Sequence, residues 1–232
     1  VKFINLIPKD GYLVANIEDD NVKTILNNNN YKCTILTYGL NHGDLRAKDI
    51  IYNELGCANF NLYKEGILLF HINLNVPGQY NILNALASIG ASLILNFSKN
   101  SITSGLSGFN GTHRRFELKG TKDGVTVIDD YAHHPTEIKA TLGAAKNYPH
   151  NKIYCVFQPH TYSRTLSLFE DFSNSFYDVD NLILTDIYAA REKNTGVVSS
   201  DMLGDRIREN KVSCINIHKI GRASCRERVY GE

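Results

Sequence analysis

The sequence has little net charge and no long apolar run. Its 232 residues include 25 basic and 24 acidic side chains, which gives a formal net charge of +1. This balance removes any global electrostatic reason to expect a nucleic acid or a membrane surface as a partner. No apolar run reaches the roughly 18 residues that a transmembrane helix needs, and the first residues lack the pattern of a secretory signal peptide.

Cysteine pairs with metal-ligand or disulfide spacing are also missing. The five cysteines are odd in number, scattered, and without a C-x-x-C pair. This distribution is typical of free thiols in a reducing cytosol. We therefore expect a cytoplasmic protein that has neither nucleic acid nor membrane as a partner.

A Gly-Lys dipeptide occurs nowhere in the sequence, which excludes a Walker A phosphate-binding loop within it. The chain opens on Val1 and its one methionine is Met202, so we expect a fragment that lacks its own start. Composition changes abruptly at Ile220–Val229 (IGRASCRERV), whose back-translation resembles a sequencing adapter. We predict that residues 220–232 are a non-native adapter-derived tail, the alternative being a basic solvated tail.

Short strands followed by a long helix are predicted for the first hundred residues. Tyr12–Ala15 and Thr34–Tyr38 have strand patterns, and a hairpin is expected to turn at Lys64–Gly66. Apolar residues then recur at helical spacing over Gln79–Leu95. Ser104–Gly111, with three glycines and two serines, is predicted to be a linker, because its glycine spacing differs from that of a dinucleotide-binding loop.

Beyond this segment, apolar strands alternate with amphipathic helices, which predicts a parallel sheet with right-handed crossovers. Ligands bind beyond the carboxyl ends of such strands. We therefore expect Asp129–Pro135, Gln158–Arg164 and Asp186–Asn194 to meet at one edge of the sheet. The predicted strands are Val125–Asp129, Ile153–Phe157, Leu182–Thr185 and Ser213–Ile217, and the predicted helices are Thr136–Ala145, Leu166–Phe176 and Ser200–Glu209.

The first two loops carry carboxylates, imidazoles and a guanidinium. This mixture suits a divalent metal, or an amino acid together with a phosphate-bearing partner. A zinc site of His133, His134 and Glu137 would lack the H-E-x-x-H spacing. A purely structural role, with the histidines capping helices and hydrogen-bonding loops, is the remaining alternative.

The blocks DDYAHHPTE (129–137) and FQPHTYSR (157–164) closely resemble those of the Mur ligase family, in its branch that adds L-alanine. The resemblance extends to about residue 219. It includes NLIPKDGYLVAN near the start, NVPGQYNILNA at 75–85, FNGTHRRFELKG at 109–120 and DIYAAREKNTG at 186–196. It implies an α/β fold, in which residues 1–107 form the back of a P-loop-type ATP-binding domain. Residues 108–219 would form most of a Rossmann-like, parallel-sheet C-terminal domain.

The activity that this resemblance implies is ATP-dependent ligation of L-alanine to UDP-N-acetylmuramate, through an acyl phosphate, in peptidoglycan precursor synthesis. The implied cofactors are ATP and Mg²⁺, and the implied partners are these small molecules. Without a phosphate-binding loop, the chain is expected to be inactive alone. The alternatives are a related ligase that recycles murein tripeptide and a non-catalytic Rossmann-like binding module.

Residue roles follow from the resemblance position by position. Asn81 and Asn84 match residues that approach the adenine and ribose of ATP, and their amides suit a purine edge. Arg115 matches an arginine at the domain junction that faces the phosphates. Asp130 matches an aspartate that contacts the ribose. The implied alanine site is lined by Tyr131, His133, His160 and Arg164.

Within that site, Arg164 is the expected partner of the alanine carboxylate. His133 or His160 is the candidate acceptor for a proton of the attacking amine, and no metal ligand is assigned. The sequence departs from the family at Tyr80, which is histidine in many members, and at Thr161, which is often arginine. These departures put a histidine-specific contact and one cationic contact in doubt.

The upstream coding sequence tests the ligase hypothesis directly. We expect a glycine-rich loop that ends in Gly-Lys-Thr or Gly-Lys-Ser to precede Val1, because the proposed chemistry needs a cradle for the ATP phosphates. Sequencing of the native locus provides the measurement. A native coding sequence without such a loop would contradict the hypothesis.

Overall fold

The computed structural model describes residues 1–218, so the predicted tail at 220–232 lies outside the described residues. By its internal packing the chain divides into unit 1 (Val1–Ile128) and unit 2, which runs from Asp129 onward. The boundary expected between residues 107 and 108 separates two domains of the resembled family, not two packing units. It stays a prediction. Within the described part, no helix is both long and apolar enough to cross a membrane.

Unit 1 is built on a five-stranded sheet with the order β1-β2-β3-β4-β5. The first three strands are parallel, and β3, β4 and β5 pair antiparallel. The predicted hairpin is confirmed as β4–β5, where Glu65 and Gly66 both have the positive φ that a two-residue turn requires. The strands are β1 (Tyr12–Asn16), β2 (Thr34–Gly39), β3 (Leu45–Tyr52), β4 (Cys57–Lys64) and β5 (Ile67–Pro77).

Three α-helices accompany this sheet: α1 (Asp20–Asn27), α2 (Gln79–Ile94) and α3 (Lys99–Gly108). The predicted α2 is confirmed, and its apolar face joins the core of unit 1. The linker prediction for Ser104–Gly111 was wrong over Ser104–Gly108, because α3 packs on β5 and buries Ile102. Tertiary packing there outweighs the weak helix propensity of glycine and serine.

A two-stranded sheet, β6 (Glu117–Lys122) with β7 (Val125–Asp129), follows α3. The prediction that Val125–Asp129 would join the parallel sheet was therefore wrong. Asp123 and Gly124, which connect the strands, both have positive φ. An Asp-Gly pair between two strands is a strong hairpin signal, and it explains why β7 pairs with its sequence neighbour.

Unit 2 contains a three-stranded parallel sheet with the order β10-β9-β8, as predicted for those strands. The predicted helix Leu166–Phe176 is instead two short helices, because Leu168 has a non-helical φ of −116° between them. The elements are α4 (Pro135–Lys146), β8 (Tyr154–Phe157), α5 (Tyr162–Ser167), α6 (Phe169–Ser173), β9 (Asn181–Thr185), α7 (Ser200–Glu209) and β10 (Cys214–Ile217).

One face of this parallel sheet forms the core of unit 2. Leu182 and Leu184 of β9 are fully buried with Phe172 of α6 and Leu203 of α7. Burial of apolar surface by these side chains is the main favourable contribution to the stability of the unit. The carboxyl ends of the strands, where the next loops begin, are thereby held in a common row.

Phenylalanine truncation in unit 1 tests the assigned core. Phe60 is completely buried, whereas 55% of Phe97 is exposed. Phe60→Ala should lower the free energy of unfolding by about 3–5 kcal/mol, because it leaves a cavity, and Phe97→Ala by less than about 1 kcal/mol. Urea unfolding followed by circular dichroism measures both. Equal losses would contradict this assignment of the core.

Candidate functional site

The HHPTE segment forms the start of α4. His134 is the N-cap residue and Pro135 the first helical residue, so the helix begins one residue before the predicted Thr136. The Glu137 carboxylate accepts hydrogen bonds from the backbone N–H of His133 (3.0 Å) and of His134 (3.3 Å). This is a capping-box arrangement with histidine in the place of serine or threonine. The cap fixes the backbone that carries both histidines.

The two adjacent histidines hold their ring protons on different nitrogens. Nδ1 of His134 accepts from the Thr136 N–H (3.3 Å), so His134 is a neutral helix cap. Nδ1 of His133 instead lies 2.9 Å from the Tyr131 carbonyl oxygen, which can only accept, so this nitrogen carries the proton. His133 therefore donates from Nδ1, and Nε2 is the ring nitrogen left for a partner. His134 therefore has the purely structural role that the sequence left open as an alternative. His133 differs, because its Nε2 atom is left for a partner.

Asp130 and Tyr131 shape the turn before α4. One carboxylate oxygen of Asp130 accepts from the Ala132 N–H at 2.7 Å, which is an Asx turn. The Tyr131 ring meets the His133 ring edge to face, with centroids 5.1 Å apart. Tyr131 remains about half exposed at 47%. The Tyr131 ring thus packs against His133, and the Asx turn shapes the backbone between them.

Backbone pairing of β8 with β9 continues beyond the strands into the next two loops. Tyr188 donates its N–H to the Pro159 carbonyl and accepts from the Thr161 N–H, both at 2.8 Å. His160 and Tyr188 form a parallel β-bridge, and their rings lie 5.4 Å apart. The Gln158 side chain also donates to the backbone carbonyl of Asp186 at 3.1 Å. These contacts confirm that the loops after β8 and β9 meet.

Thr161 has an unusual backbone conformation, with φ 68° and ψ 144°. Positive φ is rare for a β-branched residue, and such outliers persist only where surrounding contacts hold them. Its hydroxyl caps α5 by accepting from the Arg164 N–H. The threonine at this position therefore serves as a helix cap.

Glu192 joins the loop after β9 to the start of α5. Its carboxylate accepts from the Ser163 N–H at 2.9 Å and from the Ser163 hydroxyl at 2.5 Å. These hydrogen bonds hold the pKa of Glu192 below its ordinary value. Glu192 lies within the DIYAAREKNTG motif, but no role for it follows from the sequence. Its partner is 29 residues away in the chain, so no local pattern could reveal the contact.

His160 lies where the loops converge. Burial lowers its pKa, the electrostatic effects of Arg164 and His133 act in the same direction, and that of Glu192 raises it. The hydrogen bonds of Tyr188 carry the predicted convergence for the loops after β8 and β9, and the HHPTE loop lies close enough for His133 to influence His160. A pKa below the ordinary value keeps His160 neutral at pH 7, so it suits a proton acceptor better than a cation.

The Arg164 side chain is half-buried in the first turn of α5. Among the residues that the structure describes, no carboxylate pairs with its guanidinium. A guanidinium binds carboxylates through two parallel hydrogen bonds. Arg164 therefore has the chemistry and the position to receive an external carboxylate beside two imidazoles.

The nucleotide-site residues expected in unit 1 are Asn81 and Asn84, in the first turns of α2. The Asn81 amide donates to the Pro77 carbonyl at 2.7 Å and accepts from the Asn84 amide at 3.1 Å. Asn84 is exposed, and Tyr80 beside them is half-buried. The side-chain hydrogen bonds align the two amides, which fits recognition of a purine edge.

Arg115 lies in the loop between α3 and β6 and is exposed. The neighbouring Glu117 organises this loop, since its carboxylate accepts from Lys119 (2.8 Å), the Arg114 N–H (2.8 Å) and His113 (3.0 Å). These contacts lower the pKa of Glu117 to about 2. The sequence analysis did not identify Glu117. All three of its partners lie within four residues of it in the sequence, and this local charge pattern could have revealed it.

Metal ligands remain unassigned in the described part of the chain. Residues 1–218 contain no group of three or more histidine, cysteine or acidic side chains placed to hold a metal ion. Mg²⁺ is commonly held by only one or two carboxylates together with substrate phosphates. No step of the chemistry is therefore derived from a metal here.

Unit 2 thus belongs to the class of Rossmann-like α/β domains that bind ligands beyond the carboxyl ends of parallel strands. Two family models match the chain: the Mur ligase middle domain over residues 1–92, and the Mur ligase, glutamate ligase domain over residues 114–226. Together they account for most of the sequence. The chain belongs to the Mur ligase family.

Among curated relatives, the UDP-N-acetylmuramate–L-alanine ligase of Clostridium tetani is 64% identical over 217 residues, which cover 94% of this chain and 47% of the relative. The chain therefore spans about half the length of the relatives it matches. The crystal structure of the Thermotoga maritima UDP-N-acetylmuramate–alanine ligase aligns with a TM-score of 0.70 and 26% identity, covering 89% of this chain and 43% of that one.

A third comparison is with the MurF ligase of Thermotoga maritima, solved in complex with ADP. It aligns with a TM-score of 0.62 and 19% identity, covering 98% of this chain and 54% of that one. At this identity the likeness shows the fold alone. The shared α/β architecture agrees with the fold class predicted from the sequence.

The electrostatics of the cluster can be tested by NMR. Arg164→Gln should raise the pKa of His160, because it removes a positive charge that disfavours the protonated ring. Titration of the histidine ring resonances measures this pKa. Arg208→Gln, which changes an arginine bonded to Asp205 on α7, is the matched control and should leave it unchanged. An unchanged or lower pKa in Arg164→Gln would refute this account of the cluster.

Proposed function

We propose that the protein containing this chain joins L-alanine to UDP-N-acetylmuramate at the expense of ATP, in cytoplasmic peptidoglycan precursor synthesis. The observation that carries this proposal is the cluster of Arg164, His133 and His160 at the strand ends of a chain 64% identical to a curated alanine ligase. The cluster supplies a cation for a carboxylate and imidazole nitrogens for a proton. Both are required to use an amino acid as a nucleophile.

The amino-acid side of the reaction falls to unit 2. Arg164 binds the carboxylate of L-alanine through its guanidinium fork, which orients the amine. Alanine arrives as an ammonium ion and must lose a proton before its nitrogen attacks the activated carboxyl carbon. His133, through Nε2, or His160 accepts that proton, and Tyr131 lines the same site. Formation of the amide then expels phosphate.

The nucleotide side falls to Asn81, Asn84, Arg115 and Asp130. ATP, when bound, supplies the phosphoryl group that activates the muramyl carboxylate. Asn81 and Asn84 would hold the adenine edge through their aligned amides, and Asp130 would contact the ribose. Arg115 would stabilise phosphate charge through charge-assisted hydrogen bonds. Mg²⁺ would be held largely by the ATP phosphates and would neutralise their charge.

Two other functions compete with this proposal. A ligase that recycles murein tripeptide would share the fold, but the high identity over 94% of the chain is to an L-alanine ligase. A non-catalytic binding module would not need an imidazole of lowered pKa, that of His160, near an arginine that lacks a carboxylate partner among the described residues. Both observations favour the alanine ligase.

The decisive assay uses the complete protein encoded by the native locus. Phosphate release from ATP should require both UDP-N-acetylmuramate and L-alanine, and the 232-residue chain alone should release none, because it has no Gly-Lys phosphate loop. Preference for murein tripeptide over L-alanine would overturn the choice of substrate. Turnover by the isolated chain would overturn the assignment of the ATP site.

Arg164→Ala in the complete enzyme tests the carboxylate site. Loss of a charged hydrogen-bonding partner should raise the KM for L-alanine by about 10–100-fold, while the KM for ATP changes little. Steady-state kinetics with each substrate varied in turn measure both constants. Arg208→Ala is the control and should match the wild type. Equal increases in both KM values would remove Arg164 from the amino-acid site.

A further inference from the structure

The segment between β8 and α5 needs external support for its shape. Thr161 holds a positive φ of 68°, which a β-branched residue rarely adopts. His160 precedes it and Arg164 follows it by one turn, so any relaxation at Thr161 would move both. α5 is only six residues long and contributes little intrinsic stability. The loop after β9 provides the support.

The contacts of Glu192 give that support from outside the segment. Its carboxylate binds both the N–H and the hydroxyl of Ser163, at 2.9 and 2.5 Å. Glu192 is itself directed by a tight turn, in which its N–H donates to the Ala189 carbonyl (2.9 Å) and Ala190 has a φ of 52°. A second strained residue thus aims this carboxylate at the start of α5.

We propose that Glu192 is a positioning residue, which holds the strained segment 159–164 so that His160 and Arg164 face the incoming amino acid. This inference rests on the proposed function for its substrate. Glu192 does not touch the reacting atoms, and it acts through Ser163. A carboxylate suits this task because it offers two oxygens, one for each Ser163 donor, and binds N–H and O–H groups more strongly than a neutral acceptor does.

The same carboxylate also balances charge around His160. Arg164 and His133 disfavour the protonated ring of His160, and Glu192 favours it. Tyr188 packs against the ring from the loop after β9, with the two ring centroids 5.4 Å apart. Removal of the Glu192 charge should therefore lower the pKa of His160 further, and its neutral form would persist to lower pH.

Two substitutions in the complete enzyme separate the hydrogen bonds of Glu192 from its charge. Glu192→Ala should raise the KM for L-alanine by about 10-fold or more, with the KM for ATP unchanged. Glu192→Gln keeps an acceptor for Ser163, so it should recover most of that loss. It should still lower the pKa of His160, measured by NMR titration of its ring resonances, because it removes a charge that favours the protonated ring. Glu209→Ala, which removes an exposed carboxylate on α7, should leave all of these values unchanged.

Amide hydrogen exchange on the same preparations distinguishes this proposal from the proposed function. Faster exchange at Ser163 in Glu192→Ala than in the wild type and Glu209→Ala supports the hold on the segment, whatever the substrate. Wild-type protein that does not ligate L-alanine would refute the proposed function alone. Unchanged exchange, equal effects on both KM values, or an unchanged pKa of His160 in Glu192→Gln would overturn the role of Glu192.

Discussion

The parallel pairing of β8 with β9 is the constraint on which the candidate site depends. It does not stop at the strand ends, because Tyr188 exchanges hydrogen bonds with Pro159 and Thr161 and keeps the two loops in register. The buried core of unit 2 fixes the strands, and this extended pairing transmits their order to the loops. His160 can therefore sit at a defined place in a segment that has no regular structure of its own.

Burial and charge around this segment act on His160. Burial, Arg164 and His133 oppose protonation of His160, and Glu192 offsets part of that effect. His133 is held by a carbonyl at Nδ1, which leaves Nε2 as its basic nitrogen. A site of this kind keeps a cation for a carboxylate next to groups that can accept a proton. Amino-acid ligation needs both at once.

Several elements were predictable from local patterns, and others were not. The β4–β5 hairpin, α2 and the three strands of the parallel sheet follow from apolar periodicity and turn residues, which act over short distances. α3 was mistaken for a linker because its stability comes from packing on β5, which glycine and serine content does not report. β7 was placed in the wrong sheet because the Asp123-Gly124 turn was overlooked.

The sequence by itself determined the chemistry available to this protein: the order of its motifs, the imidazoles and guanidinium at the strand ends, and the family they resemble. Only the tertiary structure decided which of those groups can act. It made the ring of His134 a helix cap, whereas the adjacent His133 uses Nδ1 for a backbone carbonyl and keeps Nε2 for a partner. It also placed Glu192 on Ser163, 29 residues away. Such roles depend on contacts between distant segments, which exist only once the chain has packed.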